Sequence, residues 1–330
     1  MTTFTITVNG KDTFPCRAEQ KIIEAGQQAG FSFPTACRNG NCLRCEGGLT
    51  SGHVLQKNHT IHAGDAGSTQ VLYCVAYPLS DCEISVTDVT APGELPVHTL
   101  NCQIVRIESL NHDVSRAWLQ LPAGKRIHWH AGQYLMLNLH GECYPFSIAN
   151  ACQGRQIELH IRHGDDNSAA QDIMASLNSD STVSVTLPAG IRFIDQAPDQ
   201  PVWFICGSTG FAPVKAMIER LVALDFQQPV RLFWGARTTQ DLYLPDLPGQ
   251  WTEELKDFEG TTALSDMQHP DHQQGLVHEA ALAALSEPHL PLFFLGGSPP
   301  MAWAVFDALV EEGVPANNIH CDVFDYAPRD

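Results

Sequence analysis

Four cysteines constrain this chain more than any other feature of its sequence. Cys37, Cys42 and Cys45 share one short segment with the spacing C-x4-C-x2-C, and Cys74 follows at a distance. Thiolates are soft donors that suit iron, and a triplet with one distant partner is a spacing that holds a [2Fe-2S] cluster. Gly40 lets the loop backbone approach the cluster and turn amide groups toward its sulfurs. We therefore predict these four cysteines as the cluster ligands.

Two alternatives remain for the four thiols. A structural zinc site usually has two close cysteine pairs rather than a triplet and a singleton, and the thiols can also be inert buried side chains. The spacing favours the cluster strongly over both. The other seven cysteines are most simply small buried hydrophobic residues: Cys16, Cys82, Cys102, Cys143, Cys152, Cys206 and Cys321.

Size and charge limit the kind of protein this is. With 330 residues, 44% of them apolar, the chain can build more than one core. Its net charge of −18 would repel nucleic acid and anionic membranes, so a protein partner is expected to offer a basic docking patch. The sequence has no signal-peptide pattern and no run approaching about 18 apolar residues. Because eleven cysteines in a long chain do not fit a secreted disulfide scaffold, we expect a cytoplasmic protein without a membrane span.

Three regions of different pattern follow one another. In residues 1–88, apolar Phe4, Ile6 and Val8 alternate before Asn9-Gly10, which predicts a tight β-hairpin. A helix over 19–28 that ends at Gly30 and a closing strand over 82–86 are also predicted. Residues 89–98 are rich in Pro and Gly and are predicted to be a linker.

The rest of the chain changes from strands to alternating strands and helices. Residues 99–198 contain short alternating segments, such as 133–139 and 156–163, which indicate a β-rich barrel or sandwich. In residues 199–330, apolar runs at 202–206, 230–234 and 292–295 alternate with helical patterns at 215–224, 277–285 and 301–311. This alternation predicts a parallel sheet covered by helices on both faces.

The cysteine spacing and the motifs below, in this order, resemble a known family. Residues 1–88 resemble a plant-type ferredoxin, and the remainder resembles a ferredoxin-NADP-reductase-like module. Together they resemble the three-domain reductases of bacterial oxygenases and CDP-6-deoxy-glucoseen reductase, and the C-terminal part is also similar to NAD(P)H-flavin reductases. The resemblance implies a multidomain chain: a β-grasp ferredoxin, a flavin-binding β-barrel, and an α/β nucleotide-binding domain with a parallel sheet. Leu43 departs from the small residue usual after the second cysteine.

The flavin motif is Tyr144-Pro145-Phe146-Ser147, which resembles the family's Arg-x-Tyr-Ser. The resemblance implies that Phe146 packs on the flavin and that Ser147 hydrogen-bonds near its reactive N5. Tyr144 replaces the family's pyrophosphate-binding arginine, so one charge-assisted contact is missing. The second phosphate contact survives loosely at Ser168, where a predicted helix over 169–177 would favour an anion. The resemblance implies FAD, held weakly or used as a substrate.

A glycine-rich turn is the first nicotinamide motif. Gly207, Thr209 and Gly210 follow the apolar run 202–206 and precede Pro213, which suits the first turn of a helix predicted to begin near Val214. Backbone amides at such a turn, together with the positive end of the helix, meet a dinucleotide pyrophosphate.

The remaining candidate residues lie later in the chain. Gly296, Gly297 and Met301 resemble the family's Cys-Gly-x-x-x-Met, with Gly296 in place of the cysteine beside the nicotinamide. Arg237 occupies the position implied for the adenosine ribose, where it would hold a 2′-phosphate or stack on adenine, so NADH and NADPH both remain open. By resemblance Phe324, in a terminal strand, or its neighbours in the motif Asp322-Val-Phe324-Asp-Tyr326 border the flavin; Phe324 would otherwise complete the core.

The resemblance implies an NAD(P)H-dependent reductase. Hydride would pass to the flavin between Ser147, Thr209 and Gly296, and single electrons would leave through the cluster, because a flavin exchanges electrons in both ways. The acceptor would be an oxygenase, a dehydratase or a similar protein. Two other functions remain: an NAD(P)H-flavin reductase with diffusible flavin, suggested by Tyr144 and Gly296, and a non-catalytic [2Fe-2S] redox sensor.

Overall fold

In a computed structural model the chain divides into two units, residues 1–96 and 97–330. The structure describes residues 2–64, 70–87, 89–164, 167–287 and 290–329. Asp88, the predicted end of the first domain, lies outside these ranges. None of the described helices is long and apolar enough to cross a membrane.

The first unit contains two small sheets and one helix. Its elements are β1 (Thr3–Val8), β2 (Asp12–Arg17), α1 (Ile22–Gln28), β3 (Glu46–Ser51), β4 (His53–Gln56), β5 (His59–His62), β6 (Gln70–Leu72), β7 (Ala76–Pro78) and β8 (Cys82–Ser85). The larger sheet has the order β2-β1-β8-β3-β6, and the smaller one has the order β5-β4-β7. This is the predicted β-grasp arrangement.

Local sequence explains the start of this unit. Ile6 and Val8 are buried on one face of β1, while Asn9 and Gly10 take positive φ values of 52° and 70° in the turn to β2. The predicted hairpin is therefore present. Helix α1 begins at Ile22, three residues later than predicted, and β8 lies between β1 and β3 as a central strand.

The predicted linker folds back on the first unit. Thr90 forms an isolated antiparallel bridge with Ser32, with backbone hydrogen bonds of 2.9 and 3.0 Å. A Cβ at Gly30 would meet the ring of Pro92 at 3.2 Å. Regular structure resumes at His98.

An antiparallel barrel opens the second unit. Its elements are β9 (His98–Ser109), β10 (Val114–Gln120), β11 (Tyr134–Leu139), β12 (Glu142–Ser147), β13 (Gln156–Arg162), α2 (Ser168–Ser179) and β14 (Thr182–Ala189). The strand order is β12-β11-β14-β9-β10-β13, and a bridge between Ile148 and Leu159 joins the two edges. Ile157, Leu159 and Ile161 are fully buried on the predicted inner face of β13.

A parallel sheet with helices on both faces completes the second unit. Its elements are β15 (Val202–Gly207), α3 (Phe211–Ala223), β16 (Val230–Ala236), α4 (Leu247–Glu254), β17 (Phe258–Leu264), β18 (Gln273–Gln274), α5 (Val277–Ala284), β19 (Leu292–Gly296), α6 (Pro299–Glu311), β20 (Ile319–His320) and α7 (Val323–Tyr326). Alternate residues of β15 face opposite cores: Phe204 packs with α3 and α4, and Ile205 packs with α5 and α6. The predicted α/β arrangement is therefore present.

The topology of this sheet creates a crevice. In the strand order β18-β17-β16-β15-β19-β20, the chain leaves β15 in one direction and returns to its other side as β19. Ligands of open parallel sheets bind outside the carboxyl ends of strands at such a switch point. Here those ends are Gly207 and Gly296.

Candidate active site

The four predicted cluster ligands come together as two pairs. The Cys37 amide donates to the Cys42 sulfur at 3.5 Å, and the Cys42 amide donates to the Cys37 sulfur at 3.3 Å. Cys45 and Cys74 are buried, and a hydrogen bond joins their two thiols. Cys37 and Cys42 are exposed.

This donor set fits a binuclear cluster, because each iron takes two thiolates. Backbone hydrogen bonds at Asn39, with a hydrogen bond from Cys42, lower the pKa of Cys37 to about 6. Burial and a hydrogen bond with Cys45 raise the pKa of Cys74 to about 11. Because a metal binds the deprotonated thiolate, Cys37 gives up its proton on binding more readily than Cys74 does.

Left-handed residues shape the cluster loop. Arg38, Gly40 and Leu43 have φ values of 58°, 78° and 60°. A Cβ at Gly40 would press on Lys57 and Val75 at 3.2 Å, so the predicted close approach at this glycine is real. Leu43 holds an unfavourable backbone conformation while it is 55% exposed.

The charge around the cluster loop is opposite to the charge of the whole chain. Arg38 and Arg44 are exposed, and the Lys57 ammonium donates to the Gly40 carbonyl at 3.5 Å. Residues 1–96 contain six Lys and Arg against nine Asp and Glu, and these three cations are half of the six. The expectation of a basic docking patch, drawn from net charge, therefore does not apply at this loop.

The flavin motif lines a cavity of about 710 Å³. Its walls come from the β11–β12 hairpin, the start of α2, the loops after β15 and β19, and the chain end. The predicted residues found in these walls are Tyr144, Pro145, Phe146, Ser147, Gly207, Thr209, Gly210, Pro213, Gly296 and Gly297. The volume falls within the range of small-molecule sites, about 300–1,000 Å³.

The helix start at this cavity differs in detail from the prediction. Helix α2 begins at Ser168, and the side chain of Asn167 caps it by accepting from the Ala170 amide at 3.1 Å. Asn167, Ala169 and Ala170 line the cavity, whereas Ser168 is exposed beside it. An anion at this helix start would therefore meet backbone amides rather than the predicted serine hydroxyl.

Polar groups complete the cavity wall, and two of them, His160 and Arg162, were not revealed by the sequence. His160, Arg162 and Asp322 line it. The Oδ1 atom of Asp322 is buried without a hydrogen-bond partner among the described residues. Such an orphaned group fits a cavity built for a polar ligand such as a flavin. Burial, with the charge of Asp325, raises the pKa of Asp322 to about 7.

A second cavity of about 490 Å³ lies beside the first. Gly207, Ser208 and Ser298 line both cavities, and the predicted Arg237 and Met301 line the second. A dinucleotide bound in the second cavity would reach the flavin cavity past this shared wall. Arg237 also lines a third, polar cavity of about 530 Å³.

The glycine loops meet at the switch point. A Cβ at Gly210 would overlap the Gly296 carbonyl group, and a Cβ at Gly296 would overlap the Gly210 carbonyl oxygen. A Cβ atom added at Gly207 would lie only 2.6 Å from the sulfur of Met301, and one added at Gly297 would lie only 2.7 Å from it. These glycines therefore serve backbone packing at the junction of the two cavities.

The helix after the first glycine loop starts earlier than predicted. A 3₁₀ turn over Ser208–Gly210 leads directly into α3 at Phe211, three residues before Val214. Ser208 has a φ of 49°, an uncommon value for a residue other than glycine. The strained residue lies in the wall that the cavities share.

The chain end corrects one prediction. Phe324 lies in the short helix α7 instead of a terminal strand, and its ring packs on Trp303 and Phe306 with centroids 4.5 and 5.2 Å apart. The residues from this segment that line the flavin cavity are Cys321, Asp322 and Val323. Phe324 therefore belongs to the core, the alternative that the sequence had left open.

Comparisons with known proteins agree with this geometry. Three family descriptions match in order: "2Fe-2S iron-sulfur cluster binding domain" at residues 6–79, "Oxidoreductase FAD-binding domain" at 101–193 and "Oxidoreductase NAD-binding domain" at 204–307. Reductase component 1 of terephthalate 1,2-dioxygenase from Comamonas sp is 31% identical, over 96% of this chain and 95% of that protein.

Two further relatives cover nearly the whole chain. The reductase of CDP-6-deoxy-L-threo-D-glycero-4-hexulose-3-dehydrase from Yersinia pestis is 29% identical over 92% of each protein. The crystal structure of the Amycolatopsis reductase GcoB is 26% identical and matches with a TM-score of 0.68, over 97% of this chain and 98% of that one. The order of the three modules is thus the order of the elements described above.

Proposed function

The chain belongs to the three-domain ferredoxin-reductase-like family, and from that membership we propose that it is the reductase component of an oxygenase system. It is an NAD(P)H-dependent oxidoreductase that uses flavin and a [2Fe-2S] cluster to pass electrons to an acceptor protein. An oxygenase is the proposed acceptor because the dioxygenase reductase from Comamonas matches more of the chain, at higher identity, than the dehydrase reductase from Yersinia does.

One observation carries the proposed electron path: the loop after β15 lines both cavities of the second unit at Gly207 and Ser208. When bound, a flavin takes two electrons from nicotinamide as hydride and releases them one at a time to a cluster. The contribution of the chain is to hold the two cofactors in contact at this loop. Gly210 and Gly296 allow the backbones on either side of the contact to touch.

We propose roles for the flavin residues from their places in the wall. Phe146 would pack against the ring system, and Ser147, paired with Tyr134 across the hairpin, would present its hydroxyl to the reacting edge. Arg162 is a cation in the same wall and would bind a flavin phosphate in place of the arginine that Tyr144 replaces. The backbone start of α2 would bind the other phosphate.

For the nicotinamide cofactor we propose binding across the second cavity. Gly207 and Thr209 would approach the nicotinamide end, Met301 would support the loop from below, and Arg237 would meet the adenosine end. The 530 Å³ cavity beside Arg237 also contains His112 and His163, a setting that suits a phosphate. We propose no preference between NADH and NADPH.

Domain limits and compartment complete the proposal. We assign a ferredoxin domain to residues 1–88, a linker to 89–98, a flavin domain to 99–198 and a nucleotide domain to 199–330. A cytoplasmic location is proposed because the seven cysteines outside the cluster are all free and one of them, Cys143, is exposed. An exposed thiol persists in a reducing compartment.

The cluster loop is the proposed exit for electrons. Cys37 and Cys42 place one side of the cluster at the surface, between the exposed side chains of Arg38 and Arg44. Opposite charges steer the encounter of electron-transfer partners and fix their orientation. We therefore propose that the oxygenase component meets this loop with an acidic surface.

An anaerobic titration with NADH or NADPH tests the proposed function. We expect the purified chain to contain flavin and cluster in equal amounts, and to bleach both before an oxygenase component or cytochrome c is added. A cluster spectrum with little flavin, bleached only after free flavin is added, would favour the NAD(P)H-flavin reductase instead. Failure to oxidise either nucleotide would favour the non-catalytic [2Fe-2S] redox sensor.

A further inference from the structure

A buried carboxylate joins the two halves of the second unit. Glu158, on β13 of the barrel, is 1% exposed. Its Oε2 accepts from the Lys215 ammonium at 2.8 Å, and its Oε1 accepts from His160 Nε2 at 2.9 Å and from Arg116 at 3.4 Å. Burial would raise the pKa of Glu158, but the hydrogen bond from His160 and the charge of Lys215 outweigh it and lower the pKa to about 2.

The ammonium that pairs with Glu158 comes from the nucleotide-binding half. Lys215 lies on α3, is 6% exposed, and uses each of its three protons. Besides Glu158 it donates to the Ala149 carbonyl at 3.0 Å and to Glu219, one turn further along α3, at 2.6 Å. Two of its three partners are therefore on the barrel.

These contacts connect the two cofactor motifs. Ala149 lies two residues after the flavin-motif Ser147, and its amide donates to the Glu158 carbonyl at 2.8 Å. Lys215 lies five residues after Gly210, on the helix that the glycine loop begins. Lys215 therefore ties two parts of the barrel to the helix of the nicotinamide loop: β13 through the ion pair with Glu158, and the segment after the flavin motif through the Ala149 carbonyl.

A second tie runs parallel to the first. His160 shares a face of β13 with Glu158 and lines the flavin cavity, and its Nδ1 lies 3.0 Å from the Tyr243 hydroxyl. Because the Glu158 carboxylate accepts from Nε2, Nδ1 accepts from the hydroxyl. Tyr243 packs edge-on against Phe211 and Trp234, whose rings stack 3.9 Å apart beneath the first turn of α3.

Stability does not explain this network. Moving a charge out of water costs several kcal/mol per ion, and a well-packed apolar pair of similar volume is often equally stable or more so. A buried ion pair with directional hydrogen bonds does fix one relative arrangement of the elements it joins. Hydride transfer is sensitive to such an arrangement, since a displacement of about 1 Å can cost about 100-fold in rate.

We propose that Glu158 and Lys215 are positioning residues for hydride transfer. Their ion pair, with the His160–Tyr243 hydrogen bond as a second tie, holds the nicotinamide loop at its working distance from the flavin motif. The proposal rests on the placement of flavin and nicotinamide in the two cavities given above.

The test replaces the ion pair by an apolar pair in the full chain, Glu158→Leu with Lys215→Met. The matched control is Arg231→Met with Asp257→Leu, which removes a 2.8 Å ion pair on the surface of the nucleotide-binding half. Melting temperature, FAD dissociation constant, NADH dissociation constant and the rate of flavin reduction at saturating NADH are measured for both. The long-wavelength charge-transfer absorption between nicotinamide and flavin is recorded as a readout independent of turnover.

We expect the Glu158/Lys215 variant to melt near the wild-type temperature and to bind FAD and NADH normally. Its flavin reduction should slow at least about tenfold and its charge-transfer absorption should weaken, because the cofactors are held less closely. The control should retain both. Wild-type rate and absorption in the Glu158/Lys215 variant would overturn the proposal.

If the double substitution unfolds the chain, a milder variant tests the same positioning role. Tyr243→Phe removes one hydroxyl and retains the ring that packs on Phe211 and Trp234. We expect unchanged melting and binding with several-fold slower flavin reduction; a wild-type rate in this folded variant would overturn the proposal. Failure of the wild-type chain to bind FAD would instead contradict the proposed cavity, which separates the two failures.

Discussion

The cluster loop and the cavity junction are built in different ways. The loop is irregular backbone turned by left-handed residues, and its proposed function depends on the four thiols that we predict as iron ligands. The junction consists of two short loops held by the regular strands β15 and β19 and the helices that follow them, and there Gly210 and Gly296 approach closely. The cluster loop is therefore defined by its residue types, whereas the junction is defined by the distance between two backbone segments. Substitutions in the cluster loop should stop electrons from leaving the protein through the cluster. Substitutions at the junction should stop electrons from passing from the nicotinamide to the flavin.

The largest effect is expected from Cys42→Ser. Loss of one thiolate should remove the cluster, so reduction of cytochrome c by NADH should fall about 100-fold or more while flavin reduction keeps its wild-type rate. Cys143→Ser, at another exposed cysteine, is the control and should behave as wild type. Full cytochrome c reduction without the cluster would show that electrons leave the chain by another route.

Gly210→Ala tests the other side of the comparison. The added methyl group overlaps the Gly296 carbonyl group, so the loop must shift, and flavin reduction at saturating NADH should slow about 100-fold. Gly249→Ala, where a Cβ meets nothing within 4 Å, is the control. Stopped-flow absorbance gives the rate, and the cluster spectrum should not change. A normal rate would mean that the close approach of the two glycines does not matter.

Asp322→Asn probes the charge balance of the cavity. Because burial raises the pKa of Asp322 from 3.8 to about 7, the folded state binds its proton more tightly than the unfolded state does. The ionised form of buried Asp322 lowers the stability of the fold. This loss of stability is therefore absent below pH 3.8 and grows as the pH rises to 7. The flavin-free wild-type chain should lose several degrees of melting temperature more than Asp322→Asn between pH 5 and pH 8. Parallel curves for the two proteins would contradict this.

Tyr144→Arg asks whether the weakened flavin motif can be restored. A charge-assisted hydrogen bond to a phosphate is worth about 1.5–3 kcal/mol, so FAD should bind about tenfold more tightly. Flavin fluorescence at equilibrium gives the dissociation constant. Tyr144→Phe should not show the gain. An unchanged constant in Tyr144→Arg would indicate that Arg162 already satisfies the phosphates.

The smallest effect is expected at Leu43. Leu43→Gly relieves a left-handed backbone and should stabilise the first unit by about 1 kcal/mol, while Leu43→Ala should not. Denaturant unfolding followed by cluster absorbance measures the difference. If both variants lose stability, the exposed leucine side chain makes contacts that stabilise the loop.

The same contrast explains what the sequence could predict. The four predicted cluster ligands were chosen from spacing alone, because Cys37, Cys42 and Cys45 lie within nine residues of one loop. The hairpin at Asn9-Gly10 and the buried strand 202–206 also follow from local pattern.

The cavity wall was only partly predictable. Motif residues such as Phe146 and Gly207 were identified, but His160 and Arg162 were not, because they reach the cavity from β13 through tertiary packing. For Phe324 the sequence left two positions open, beside the flavin and in the core, because the contact with Trp303, 21 residues earlier, is long-range and leaves no local signal.

The contact between Gly210 and Gly296 also bears on how this chain can change over generations. A cysteine is usual at position 296 in the proteins that the chain resembles, but its Cβ would now strike the Gly210 carbonyl oxygen. Replacement of Gly296 by cysteine therefore requires a prior movement of the opposite loop. The order of substitutions matters here, because a single step from glycine to a larger residue at position 296 meets the Gly210 carbonyl oxygen.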